Sequence, residues 1–201
     1  MTRQTSSTTV QTTTIRKATP EDIPAIAAIY DEIHAREAAG ETTTGWLRDV
    51  YPVRKTAEDA VARGDMFVQE IGGQAGDIHV GDSRSGSGRI VGTGIINQIQ
   101  VDVYADGNWQ YPAADDEVMV LHTLIISKKT EEKGLGKQFL DYYEAFALEN
   151  GCRYLRLDTN ARNKAARAFY KKHGYTEIGI VPTVFNGIPG VDLVLIEKKL
   201  G

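Results

Sequence analysis

Two glycines bracketed by lysines, Lys133-Gly134-Leu135-Gly136-Lys137, mark a place where the backbone of this chain could do chemistry. They follow a nearly continuous apolar run, Glu117 to Ser127, and precede helical spacing of Phe139, Leu140, Tyr143, Phe146, Ala147 and Leu148. A strand that enters a helix through a glycine turn presents uncommitted N–H groups at the positive end of the helix, an arrangement suited to phosphate oxygens. The turn lacks the Gly-Lys-Ser/Thr ending of a nucleoside-triphosphate loop and the third glycine of a dinucleotide fingerprint. Taken alone, Gly134 and Gly136 serve equally well as a structural helix start.

Other side chains could move protons. His122 interrupts the apolar run, where an imidazole that titrates near neutrality is either a base or a hydrogen-bonded core residue. Glu117 opens the same run and Asp158 ends the next strand, so either is an alternative base or a solvated strand-end acid. Tyr170, at helical spacing with Ala166 and Phe169, reads by itself as a core aromatic. Cys152 follows Asn150-Gly151 with no histidine near it in sequence, which argues against a thiol nucleophile. His34, His79, His122 and His173 have no metal-ligand spacing, so no metal is expected.

The elements that must position these groups can be read from periodicity. Ile15 to Ala18 reads as a strand, and Thr19-Pro20-Glu21-Asp22 supplies a cap, an early proline and early acids for a helix running to about Gly40. A second helix is expected over Thr56 to Arg63, then strands over Met66 to Ile71 and Ile90 to Ile96. Tyr154 to Asp158 is a strand and Asn163 to His173 a helix; Tyr175 to Val184 and Val191 to Lys198 are strands around a turn at Asn186 to Gly190. Residues 1–13, nearly all Thr, Ser and Gln, read as a disordered tail. Residues 72–89, rich in Gly, Ser and Asp, read as a flexible loop insertion in a single domain spanning 14–201.

In this register, Leu124 to Gly136 resembles the acetyl-coenzyme A motif of the GNAT superfamily of N-acetyltransferases, whose strand reads Leu-x-Val and whose turn reads Gln/Arg-x-x-Gly-x-Gly/Ala. Leu124 and Ile126 match the strand, and Gly134 and Gly136 match the turn. The sequence departs from the pattern at Glu131, which stands at the Gln/Arg position, and Lys133 and Lys137 would supply positive charge instead. The segment Asn163-Lys164-Ala165-Ala166-Arg167-Ala168-Phe169-Tyr170-Lys171-Lys172-His173-Gly174-Tyr175 is similar to the family's Asn-x-x-Ala-x-x-x-Tyr-x-x-x-Gly-Phe/Tyr signature.

The resemblance implies an α/β (α+β) fold with a mixed, mostly antiparallel sheet of six to seven strands flanked by about four helices. It implies acetyl-CoA as acyl donor, held by the backbone of Leu124, Ile125 and Ile126, by N–H groups of Glu132, Lys133, Gly134, Leu135, Gly136 and Lys137, and by Asn163. Tyr170 falls where the family has a tyrosine that protonates the leaving thiolate. His122 falls where several members carry a glutamate base, and Glu117 and Asp158 stay open as bases. The activity implied is direct acetyl transfer to a primary amine of a small molecule; a non-catalytic acyl-CoA-binding module or a protein N-acetyltransferase are the alternatives. Trp46, Tyr51, Asp102, Tyr104, Trp109 and Tyr111, in two segments without clear periodicity, would form an aromatic, acidic pocket for the amine, or else ordinary loop packing or a homodimer contact.

Bulk properties narrow the partners. With 27 acidic against 23 basic residues and no basic stripe, a nucleic-acid partner is not expected. The sequence shows no apolar run of about 20 residues, and a single cysteine forms no internal disulfide, so a cytoplasmic protein is expected.

Overall fold

The computed structural model describes residues 13–72 and 88–201. The tail expected over residues 1–13 falls outside them apart from Thr13, which begins the first strand. The loop expected over 72–89 falls outside them apart from Gly72, Gly88 and Arg89. In chain order the elements are β1 (Thr13–Lys17), α1 (Ile23–Ala38), α2 (Arg54–Arg63), β2 (Met66–Ile71), β3 (Arg89–Asn97), β4 (Val118–Ile126), α3 (Leu135–Glu149), β5 (Tyr154–Asn160), α4 (Lys164–Lys172), β6 (Thr176–Phe185) and β7 (Ile188–Lys199). The seven strands form one sheet in the order β1-β2-β3-β4-β5-β7-β6, in which only β4 and β5 run parallel. This is the mixed, mostly antiparallel sheet with four helices that the sequence led us to expect.

Period-two alternation sorts the strand side chains onto two faces. Phe67, Ile96, Met119, Leu121, Leu155 and Leu157 pack with Phe139, Leu140, Tyr143 and Tyr170 of α3 and α4. Met66, Val68, Ile95 and Ile125 pack with Ile26, Ile29, Tyr30 and Ile33 of α1 on the opposite face. Beyond α1 that second face is covered by residues 101–113, where Tyr104 sits among Val118, Val120, Leu193 and Leu195. Arg156 holds this cover in place: its guanidinium lies 4.1 Å from the Trp109 ring centroid and donates to Gln100 and to the Tyr111 carbonyl. Burying a side chain such as Phe139, which is fully enclosed, contributes about 1.5–3 kcal/mol.

Two departures from the sequence reading matter. The last hairpin turns on Asn186-Gly187 alone, both at positive φ, so Phe185 pairs with Ile188 and Pro189-Gly190 belongs to β7. Two residues of left-handed backbone match the twist of the flanking strands and need no longer loop. The second departure is in β4, which changes character at Thr123. Thr93 pairs with Ile125 but Ile95 with His122, so β4 spends one more residue than β3 on this step; Thr123, at φ 53, occupies the bulge. The bulge reverses the alternation. Before it, Met119 and Leu121 face α3; after it, Leu124 takes that side and Ile125 faces α1.

Candidate active site

Pairing between β4 and β5 ends at Leu121 and Leu157, although β4 continues to Ile126 against β3 and β5 to Asn160 against β7. The sheet therefore opens between two neighbouring strands and leaves part of the backbone of each without a ladder partner. A cavity of about 510 Å³ occupies the opening, lined by His122 to Ile126 of β4, Asp158 to Asn160 of β5, and Asn163, Ala166 and Tyr170 of the α4 segment.

One side of the opening is made of backbone. Glu32 of α1 accepts from the Ser127 hydroxyl (2.6 Å) and from the Lys128 N–H (2.6 Å), which secures the chain as β4 gives way to the turn. Gly134 follows at φ +81, a left-handed conformation that costs a residue with a Cβ about 1–2 kcal/mol, and α3 starts at the next residue. No side chain caps α3, and among the described residues none accepts from the N–H groups of Leu135, Gly136 and Lys137. At α4 the opposite holds: Asn163 accepts from the Ala166 N–H at 3.2 Å through its side-chain oxygen. Its amide nitrogen remains to donate into the cavity. An uncapped helix start beside an unpaired strand edge suits an anionic group followed by an extended arm, and so fits acetyl-CoA.

Three of the residues expected to hold the cofactor have contacts of their own. The Glu132 N–H already donates to the Thr130 hydroxyl at 3.2 Å. The Lys137 ammonium lies 2.5 Å from Asp141, so its charge is largely answered within α3. A Cβ at Gly136 would meet Phe169 at 3.4 Å and Ile126 at 3.9 Å, ordinary packing distances within the protein.

The other side of the opening is made of side chains. Tyr170 approaches from the face of α3 and α4, whereas His122 and Asp158 approach from the opposite face. Burial raises the Tyr170 phenol far above its usual range, with the charge of Asp158 adding to the effect, so the hydroxyl stays protonated. Asp158 accepts from the Tyr104 hydroxyl at 2.8 Å; burial pushes its carboxyl up to about 6, against the pull of that hydrogen bond. His122 lies within 3.1 Å of both the Asn97 side-chain oxygen and the Ile99 carbonyl through Nε2, and burial drives its imidazole down to about 4. Tyr51, whose hydroxyl shares a hydrogen bond with Thr123, is pushed up to about 12, again chiefly by burial.

The segment between α1 and α2 roofs this site. Thr43 donates to the Arg162 carbonyl at 2.9 Å, and the Glu37 carboxylate accepts from the N–H groups of Thr44 and Gly45. Gly45 has φ +77, and a Cβ there would stand 2.4 Å from the Asn160 amide, so only glycine lets the roof approach β5 this closely. Trp46 and Tyr51, in edge contact at 5.9 Å, line the cavity.

The remaining sequence candidates lie apart. Glu117 is exposed, accepts from the Ala114 N–H, and sits at the far end of β4 from the opening, which removes it as the base. Tyr104 lies behind the cavity, against Asp158. Asp102 is exposed beside a second depression that also holds Trp109, and Tyr111 packs 6.2 Å from Tyr154, so neither lines the cavity. The anticipated single aromatic pocket is thus split, because Arg156 draws residues 100–111 onto the sheet. Thr123, Asn160 and Asn97 were not singled out from sequence; Asn160 could have been, since it shares a strand face with Asp158.

Among the described residues no group of three or more His, Cys, Asp or Glu is placed to hold a metal ion, and no helix is long and apolar enough to cross a membrane. No curated protein sequence matches this chain. Solved structures share its fold. A GNAT-family acetyltransferase from Streptococcus agalactiae has a TM-score of 0.70 at 22% identity, over 94% of this chain and 96% of that one. One from Listeria monocytogenes has 0.68 at 20%, over 94% and 95%. The structure of yncA from Salmonella typhimurium, solved with its cofactor acetyl-CoA, has 0.62 at 16%, over 94% and 95%. Residues 41–175, which run from the roof through the uncapped helix to the end of the α4 segment, match the acetyltransferase (GNAT) family, and the chain belongs to that family of acetyl-CoA-dependent N-acetyltransferases.

Proposed function

We propose that the acceptor is a small molecule bearing a primary amine, bound between the roof and the opened strands, and that Asp158 takes its proton. The roof carries the first half of this reading. It is tied to the β5–α4 turn through Thr43, to β4 through Tyr51, and it meets the last hairpin where Val50 lies 3.5 Å from the position of a Gly187 Cβ. A cavity of about 510 Å³ roofed in this way is of small-molecule size, which supports a small acceptor over a polypeptide.

The chemistry follows from protonation states. Acetyl-CoA, when bound, supplies an activated thioester. An amine attacks only through a free lone pair, so a base must accept its proton near neutrality, and efficiency is greatest when the base titrates near the working pH. Asp158, at about 6, meets that demand better than His122 at about 4. His122 stays neutral and offers a hydrogen-bond acceptor to the amine. Tyr170, kept protonated from the other face, gives its proton to the leaving sulfur.

The test is thiol release from acetyl-CoA by the purified chain, with panels of small primary amines and of short peptides. Turnover with an amine and none with the peptides is expected. Turnover restricted to peptides overturns the small-molecule reading, and binding of acetyl-CoA without thiol release from either panel overturns catalysis.

A further inference from the structure

A chain of hydrogen bonds along the cavity wall determines which nitrogen of His122 is left bare. Arg63 and Asp65 form an ion pair through two contacts, 2.9 and 3.2 Å. An ionised carboxylate only accepts, so the group that Asn97 turns to Asp65, at 2.8 Å, must be its NH₂. The Asn97 oxygen consequently points the other way, where it accepts from the Ile99 N–H at 2.9 Å and meets His122 Nε2 at 3.1 Å. The Ile99 carbonyl, held by that same N–H contact, meets Nε2 at 3.1 Å as well. Two acceptors converge on Nε2, so Nε2 carries the ring proton. Nδ1 is the bare nitrogen; no described residue bonds it, and His122 lines the cavity.

We propose that Asn97 is a positioning residue that holds His122 in its Nε2–H tautomer and so presents Nδ1 to the acceptor amine as a hydrogen-bond acceptor. Asn97 also lines the cavity, and its contact with His122 is to Nε2 and not to Nδ1. It acts by placing both acceptors of the imidazole proton, one directly and one through Ile99. The proposal rests on the reading that His122 faces the amine.

Ring-nitrogen NMR of the ¹⁵N-histidine-labelled protein tests it, with the His122 signals identified by their loss in His122→Gln. The wild-type ring should show a proton on Nε2 and a bare Nδ1, and Asn97→Ala should convert this to a mixture of tautomers. The variant's kcat should fall about tenfold with the KM for acetyl-CoA within about twofold of wild type. A proton on Nδ1 in the wild type overturns the proposal without need of any variant. An unchanged tautomer in a folded Asn97→Ala overturns it too, while leaving the site reading intact. Wild-type kcat in His122→Gln sinks that underlying reading instead, even if Asn97→Ala shifts the tautomer.

Discussion

The two sides of the opened sheet are built by different means. On the side we assign to the cofactor the available groups are backbone: the free edge of β4 and three N–H groups at a helix start that no side chain caps. On the acceptor side they are side chains drawn from β4, β5, α4 and the α1–α2 roof, each tuned by what is packed behind it. A backbone site tolerates side-chain change so long as the chain path survives. A side-chain site depends on individual atoms, so the same kind of substitution should have unequal consequences on the two sides.

The largest expected effect is on the acceptor side. Asp158→Asn should lower kcat/KM about 1000-fold while the KM for acetyl-CoA stays within about threefold. Tyr170→Phe should lower kcat about 100-fold, again sparing cofactor affinity; unchanged turnover would remove it as the acid. On the cofactor side, Gly134→Val places a Cβ at φ +81 and distorts the turn. It should raise the KM for acetyl-CoA about tenfold and cost about 1–2 kcal/mol in denaturant unfolding. Glu131→Gln, which alters only an exposed side chain, should lower that KM by about twofold at low salt and leave kcat alone. A Glu131→Gln effect rivalling that of Asp158→Asn would dissolve the contrast.

The contrast also appears in stability. Asp158 has a carboxyl pKa raised by folding, so the folded state holds its proton between about pH 4 and 6, and stability is lost as pH rises through that window. At pH 8, Asp158→Asn should therefore unfold with a gain on the order of 2–3 kcal/mol, because a neutral amide can still accept from Tyr104. His122, whose pKa folding lowers, works in the opposite sense: stability falls as pH drops from about 6.5 towards 4. A variant that gains stability while losing activity is what a group strained for function should produce.

This difference also explains what could be read from sequence. The β4 run, the glycine turn and the Asn163 segment are local patterns in which residue type dictates backbone path, and they led directly to the cofactor side. Nothing in the sequence marks Thr123 as the bulge, since a threonine at positive φ has no compositional signal. Yet that bulge reverses the faces of β4 and sets the side chains at the opening. The roles of His122 and Asp158 depend on burial by residues far away in sequence, Asn97 and Ile99 around one and Tyr104 against the other. The helices and strands were therefore legible to within a few residues, whereas the choice of base was not.

The measurement that bears most directly on the account is the pH dependence of kcat/KM for the best amine, in wild type and Asp158→Asn, followed by thiol release. A wild-type rate that rises tenfold per pH unit towards a bend near pH 6, with that limb absent from the variant, is the predicted result. A wild-type limb bending near pH 4 would return the base to His122, and a variant that kept the wild-type rate and profile would contradict the central claim that Asp158 takes the proton.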